Sequence, residues 1–142
     1  MNLLLRTFFV YGTLMTACAN HHVIGKDAIE RVVRAKMHHV DLYMYHKSYF
    51  PCMIVGQGAV IGELMTIKED VFEKILMRMD RLEGYISANN PKNFYDRVIM
   101  LAEDEQGELV EAYCYVYNAS NGHLGEKIVN GDFKRYIKTR IT

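Results

Sequence analysis

The chain is predicted to fold as α+β, a small, mainly antiparallel β-barrel or roll flanked by a few helices. Three observations carry this prediction. Several short runs are rich in β-branched and aromatic residues and stop at turn residues. Only one stretch, 68–85, repeats apolar residues strongly at three- and four-residue steps. Strands and helices do not alternate as regular βαβ units, which a parallel sheet would need.

The first run, "TFFVY" (7–11), ends at Gly12 and reads as a strand. "KDAIERVV" (26–33) places Ala28, Ile29, Val32 and Val33 on a shared side and reads as a short helix. "AKMHHVDLYMYH" (35–46) alternates, with Met37, His39, Asp41, Tyr43 and Tyr45 on one face and His38, Val40, Leu42 and Met44 on the other. "YFPCMIV" (49–55) follows, and Pro51 keeps it from being a central strand at that point. Gly56 and Gly58 mark a turn before the next strand, 59–67. The helix over 68–85 carries Val71, Phe72, Ile75, Leu76, Met79 and Leu82 as one stripe. Glu69 and Asp70 suit its N-terminus and Gly84 its end. Asn89, Asn90 and Pro91 form a loop. Two long strands, 94–103 and 109–118, are joined by a turn at "DEQG". The second points Val110, Ala112, Cys114 and Val116 one way and Glu111, Tyr113, Tyr115 and Tyr117 the other.

The 142 residues fit a single domain, 1–142, with room for one core. Lys+Arg and Asp+Glu both number 17, so no basic footprint for nucleic acid is present. The neutral balance also gives no pull toward anionic membranes. No run approaches the ~18 apolar residues of a membrane-spanning helix. "Ala17-Cys18-Ala19" imitates an export cleavage site, but Arg6, Thr7 and Tyr11-Gly12-Thr13 break the apolar run before it. A cytoplasmic protein is expected. Cys18, Cys52 and Cys114 are odd in number and form no Cys-x-x-Cys pair, so buried thiols are expected rather than a zinc or redox site. His21-His22 and His38-His39 lack metal-ligand spacing, and no metal site is expected.

Two stretches carry chemistry. A strand ending in Tyr11-Gly12-Thr13-Leu14 can present successive backbone N–H groups to a carboxylate or phosphate, because glycine leaves the approach open. A plain strand-ending glycine is the simpler reading of that stretch alone. Asp80 and Glu83 lie three residues apart near one face of the helix end. A carboxylate beside Met79 and Leu82 loses hydration, which raises its pKa toward that of a general base. Spacing alone favours two solvated acids paired with Arg78 or Arg81. The row Tyr113, Tyr115, Tyr117 could line a pocket or form the outer layer of a sheet.

"FFVYGTLM", "ANHH", "YFPCMIVGQGAVIGELMTI", "MDRLEGY", "NFYDRVIML", "EAYCYVYN" and "NGDFKRY", in this order, resemble the γ-glutamylcyclotransferase-like (AIG2-like) family from about residue 8 to 136. The resemblance implies a small β-barrel with helices around it. It implies cyclisation of a γ-glutamyl amine or peptide to 5-oxoproline, with release of the amine. On the matching motifs, backbone amides of Tyr11, Gly12, Thr13 and Leu14 would hold the glutamyl end of a small-molecule substrate. Glu83, in "LEG", would be the general acid/base and Asp80 a supporting residue. The late-strand tyrosine of the binding site would be Tyr115 or Tyr117. No cofactor and no metal is implied. The same fold also permits a non-catalytic carboxylate-binding domain. One departure stands out: "LMTACANHH" lacks the basic residue and glycine that follow the loop in many family members, and a changed substrate preference is expected there.

Overall fold

The computed structural model describes residues 4–46 and 48–141. Five strands, β1 (Thr7–Val10), β2 (Ile29–Met44), β3 (Pro51–Ile67), β4 (Tyr95–Asp104) and β5 (Leu109–Tyr117), close into a barrel in the order β1-β3-β2-β4-β5. All neighbours are antiparallel except β1 and β5, which meet in parallel where Phe8 faces Tyr113. Three helices accompany the strands: α1 (His21–Ile24), α2 (Phe72–Glu83) and α3 (Phe133–Ile141). The expected α+β barrel is the observed fold. Among the described residues, no helix is long and apolar enough to cross a membrane.

β1 is covered on both faces. The Phe8 ring packs on Phe72 of α2 at 5.9 Å and on Tyr113 of β5 at 5.4 Å. Phe9, on the opposite face, is also buried. Burial on both sides explains the unbroken apolar run, where a half-exposed strand would alternate.

Three local expectations are corrected. The helix expected over 26–33 is only a 3₁₀ turn at Lys26–Ala28, and Ile29 already opens β2. Val32 and Val33 pair with Met65 and Leu64 of β3. Their branched Cβ atoms suit the pleated sheet better than a helix. Next, the single alternation read over 35–46 breaks at His39. This residue has φ of 63°, and the β2–β3 register shifts between His38 and Val40. The bulge turns the strand over, so Met37 and Val40 are both buried although three residues apart. Finally, Gly56 and Gly58 do not end a strand: β3 continues through them, with 56–58 bulged opposite His39 between the pairs His38–Ala59 and Val40–Val55. They leave room for Asp41. A Cβ at Gly56 would lie 2.0 Å from Asp41 Oδ2, and one at Gly58 2.6 Å from Oδ1. Asp41 Oδ1 accepts the Gly58 N–H at 3.1 Å.

α2 forms nearly as read, with Phe72, Ile75 and Met79 buried against the barrel and a 3₁₀ turn over Glu69–Val71 before it. Leu82, expected on the buried stripe, is 41% exposed. Gly84 ends the helix in the left-handed region with φ of 66°, and the Tyr85 N–H closes back on the Asp80 carbonyl at 2.9 Å.

Because Gly56 exists to admit Asp41, Gly56→Ala should cost about 1–3 kcal/mol, the usual range for overpacking. In an Asp41→Ala background the same substitution should cost clearly less. Urea unfolding of the four proteins measures the difference, and additive losses would contradict the account.

Candidate functional site

A cavity of about 290 Å³ opens where β1 ends, where α2 ends and where β3, β4 and β5 pass beneath. Its walls include Tyr11, Gly12, Thr13 and Leu14 from the loop after β1, Glu83 and Gly84 from the end of α2, and Tyr115 from β5. Gly12 and Glu83, 71 residues apart, therefore share one space.

The loop is polarised. The Gly12 carbonyl accepts the Met15 N–H at 3.1 Å, the Thr13 carbonyl accepts the Asn20 N–H at 2.8 Å, and the Leu14 carbonyl lies 3.0 Å from His21 Nδ1. The N–H groups of Gly12, Thr13 and Leu14 make no hydrogen bond among the described residues. Loop amides without a protein acceptor need a ligand or water, and several in succession form an anion-binding concavity. Gly12 is required here by space, since a Cβ would lie 2.7 Å from Pro51 Cγ. Asn20 braces the loop further, its Nδ2 donating to Thr13 Oγ1 at 2.9 Å.

Glu83 is the last residue of α2. Its carboxyl has no hydrogen-bond or ion-pair partner among the described residues, and burial pushes its pKa up to about 8. Its place at a helix C-terminus, where the macrodipole is negative, also disfavours the ionised form. The carboxyl can hold or release a proton near neutrality, as a general base requires.

Asp80 is differently placed. It pairs with Arg97 of β4 through Oδ2 and accepts the Tyr115 hydroxyl at Oδ1, 2.7 Å away. The partner expected for the acids, Arg78 or Arg81, is thus replaced by a strand arginine. The Arg97 guanidinium also lies 4.7 Å from the Tyr85 ring centre and 5.4 Å from that of Tyr113.

Of the two late-strand tyrosines, Tyr115 lines the cavity and Tyr117 does not. Tyr117 donates to the Gly122 carbonyl at 2.9 Å and packs edge-on against Phe94. Tyr11 is buried, and its hydroxyl donates to the Tyr115 carbonyl at 2.5 Å. Its side chain ties β1 to β5, while its backbone enters the loop. Lining residues not singled out from the sequence include Asn20, Phe50, Phe94 and Tyr95. Tyr95 donates to the Pro51 carbonyl at 2.7 Å and touches Cys52 Sγ at 3.4 Å. Burial pushes the Cys52 thiol up to about 12 and raises Cys114 as well, so both stay protonated at neutral pH.

The family model for gamma-glutamyl cyclotransferase, AIG2-like, matches residues 8–135. The chain belongs to this family. Solved structures similar to this AIG2-like chain share its fold at low identity. An uncharacterised protein from Pyrococcus horikoshii is 19% identical with a TM-score of 0.65, over 95% of both chains. A mouse AIG2-like protein is 21% identical with a TM-score of 0.57, over 78% of this chain and 76% of its own. A structure described as a gamma-glutamyl cyclotransferase is 13% identical with a TM-score of 0.55, over 85% and 69%. No curated protein matches the chain.

The raised pKa of Glu83 has a consequence for stability. Between about pH 4.5 and pH 8 the folded chain holds a proton that the unfolded chain has lost. Stability therefore falls as pH rises through that window. Glu83→Gln removes the penalty, and should stabilise the fold at pH 9 by on the order of 4 kcal/mol while changing it little at pH 4. Urea unfolding at the two pH values tests this, and an equal effect at both would contradict the buried, unpaired carboxyl.

Proposed function

We propose that the protein is a γ-glutamylcyclotransferase acting on a small γ-glutamyl amine or peptide. One observation carries the reading: Glu83, whose carboxyl has no partner among the described residues, and Gly12, Thr13 and Leu14, whose N–H groups have none, line one cavity of about 290 Å³. That volume is at the small end of ligand sites and suits an amino-acid-sized group. Family membership supports the same chemistry.

The glutamyl end of such a substrate carries an α-carboxylate and an α-ammonium group. The loop amides receive the carboxylate, since backbone N–H groups are suited to anions. The ammonium lies toward Glu83, whose carboxylate takes one of its protons. The freed amine nitrogen attacks the γ-carbonyl carbon and closes a five-membered ring. Glu83 then returns that proton to the departing nitrogen as the old C–N bond breaks, and the attacking nitrogen's second proton passes by the same carboxylate to the released amine, which leaves as an ammonium ion. The products are 5-oxoproline and a free amine, and no water is consumed. Holding both ends of a flexible glutamyl chain in a folded pose supplies much of the rate, because the attack is then intramolecular and aligned. No cofactor or metal is needed in these steps.

Incubation with a panel of γ-glutamyl amines and peptides should release 5-oxoproline. As the Glu83 base form grows, kcat/KM should rise with pH through about 8. Glu83→Gln should lower kcat by about 10²–10⁴-fold with the fold retained. Full activity in that variant would contradict the role. Tight binding of 5-oxoproline without turnover of any substrate would instead identify a carboxylate-binding domain.

A further inference from the structure

The three-residue cluster beside the cavity has a directionality that the reaction scheme leaves unused. Asp80 Oδ2 is occupied by Arg97 and Oδ1 by the Tyr115 hydroxyl. A carboxylate paired with a guanidinium has no proton to donate, so Tyr115 must be the donor in the second bond. A tyrosine hydroxyl carries a single proton. Tyr115 is therefore left only lone pairs to offer the cavity it lines. The arrangement is rigid. Arg97 is held over Tyr85 and Tyr113, the Tyr115 ring is stacked parallel to Phe8 at 6.4 Å, and the Tyr115 carbonyl receives the Tyr11 hydroxyl.

We propose that Arg97 and Asp80 are positioning residues that set the polarity of the Tyr115 hydroxyl, so that Tyr115 meets the substrate as a hydrogen-bond acceptor. This rests on the cyclotransferase reading. Under it Tyr115 takes an N–H of the substrate's α-amino group beside Glu83. The same bond keeps the Tyr115 proton away from Glu83. A hydroxyl donating to that carboxylate would stabilise its charge and weaken it as a base.

The titratable groups near enough to feel the charge of Glu83 are Tyr11 just after β1, Cys52 on β3, Tyr95 on β4, and Cys114 and Tyr115 on β5. Asp80, one turn earlier on α2, adds its charge. All the others are held protonated at neutral pH by burial, so Asp80 and Arg97 are the charges close to this face.

Asp80→Asn reverses the polarity with little change of shape. Arg97 has no acceptor and must face the amide oxygen, which turns the amide N–H₂ toward Tyr115. Tyr115 then accepts from Asn and releases its proton toward Glu83. The Glu83 carboxyl can be titrated by ¹³C NMR in the full chain labelled at glutamate, without substrate. Asp80→Asn should lower its midpoint by about one pH unit or more. In a Tyr115→Phe background the same substitution should give less than half of that shift. Equal shifts in both backgrounds, as loss of the Asp80 charge alone would give, or no shift at all, overturn the proposal. In the wild-type protein the Tyr115 hydroxyl proton should show a contact to the Asp80 methylene, and a contact to the Glu83 side chain instead overturns it as well. These readouts are independent of turnover. Absence of 5-oxoproline formation by the wild-type protein would refute the activity and leave the polarity to be judged by the titration.

Discussion

The carboxyl of Glu83 stands at the edge of a barrel, with Tyr95 and Tyr115 among the walls of its cavity and no cation among the described residues bonded to it. Such a group is costly to keep ionised, and much of the local architecture fixes it in place despite that cost. Phe72, Ile75 and Met79 glue α2 to the barrel. Gly84 stops the helix one residue beyond Glu83, and the Phe94 N–H ties that stop to the start of β4 by a 2.9 Å bond to the Gly84 carbonyl. Buried Asn93 holds the intervening loop, accepting from the Ile86 N–H at 2.6 Å and donating to the Ser87 carbonyl at 2.8 Å. A helix end pinned on both sides keeps the backbone of Glu83 at the cavity wall.

A second acid one turn away would ordinarily aggravate the problem. Two carboxylates near one apolar wall repel, and each would raise the other. Arg97 resolves this by pairing with Asp80 alone. The two acids of "MDRLEG" thus receive opposite environments from one helix turn: one neutralised by a strand arginine, the other left unpaired in a cavity. Separated environments of this kind are what allow neighbouring carboxyl groups to have distinct roles.

How much of this was legible in the sequence follows from what each residue must touch. The barrel class and the helix stripe were visible because apolar period is a local property. The bulge at His39 was not, because nothing in a His-His pair announces a left-handed backbone, and the single alternation therefore ran on past it. Gly56 and Gly58 were read as punctuation, yet they are spaces for Asp41, a long-range fact that no local window contains. At the site, the glycine loop and Glu83 could be named individually, but their sharing of a cavity is a property of barrel closure. Arg97 stood in a quoted stretch, "NFYDRVIML", with no local mark distinguishing it from the other arginines. Tyr115 and Tyr117 share a strand face by parity, and only the path of the loop after β5 decides which reaches the cavity. The Gly122 carbonyl engages the Tyr117 hydroxyl.

The segment "MTACANHH" shows how one geometry can be kept with different residues. Its Asn20 and His21 capture the carbonyl side of the loop through the Asn20 N–H and the His21 ring, and the Asn20 side chain steadies Thr13. With the Met15 N–H on the Gly12 carbonyl, every carbonyl from Gly12 to Leu14 is engaged, and the N–H groups of these residues are unpaired among the described residues. The cavity then divides its work by charge type. Glu83 is the one formally ionisable acid among its described lining residues, and the loop supplies neutral dipoles. A zwitterionic glutamyl group has the complementary division, an ammonium for the acid and a carboxylate for the dipoles. Dipoles fixed by the fold need no reorganisation when an anion arrives, whereas a mobile lysine would have to be ordered. Under the proposed reaction, a loop braced by hydrogen bonds rather than by a charged side chain is therefore compatible with holding the glutamyl end.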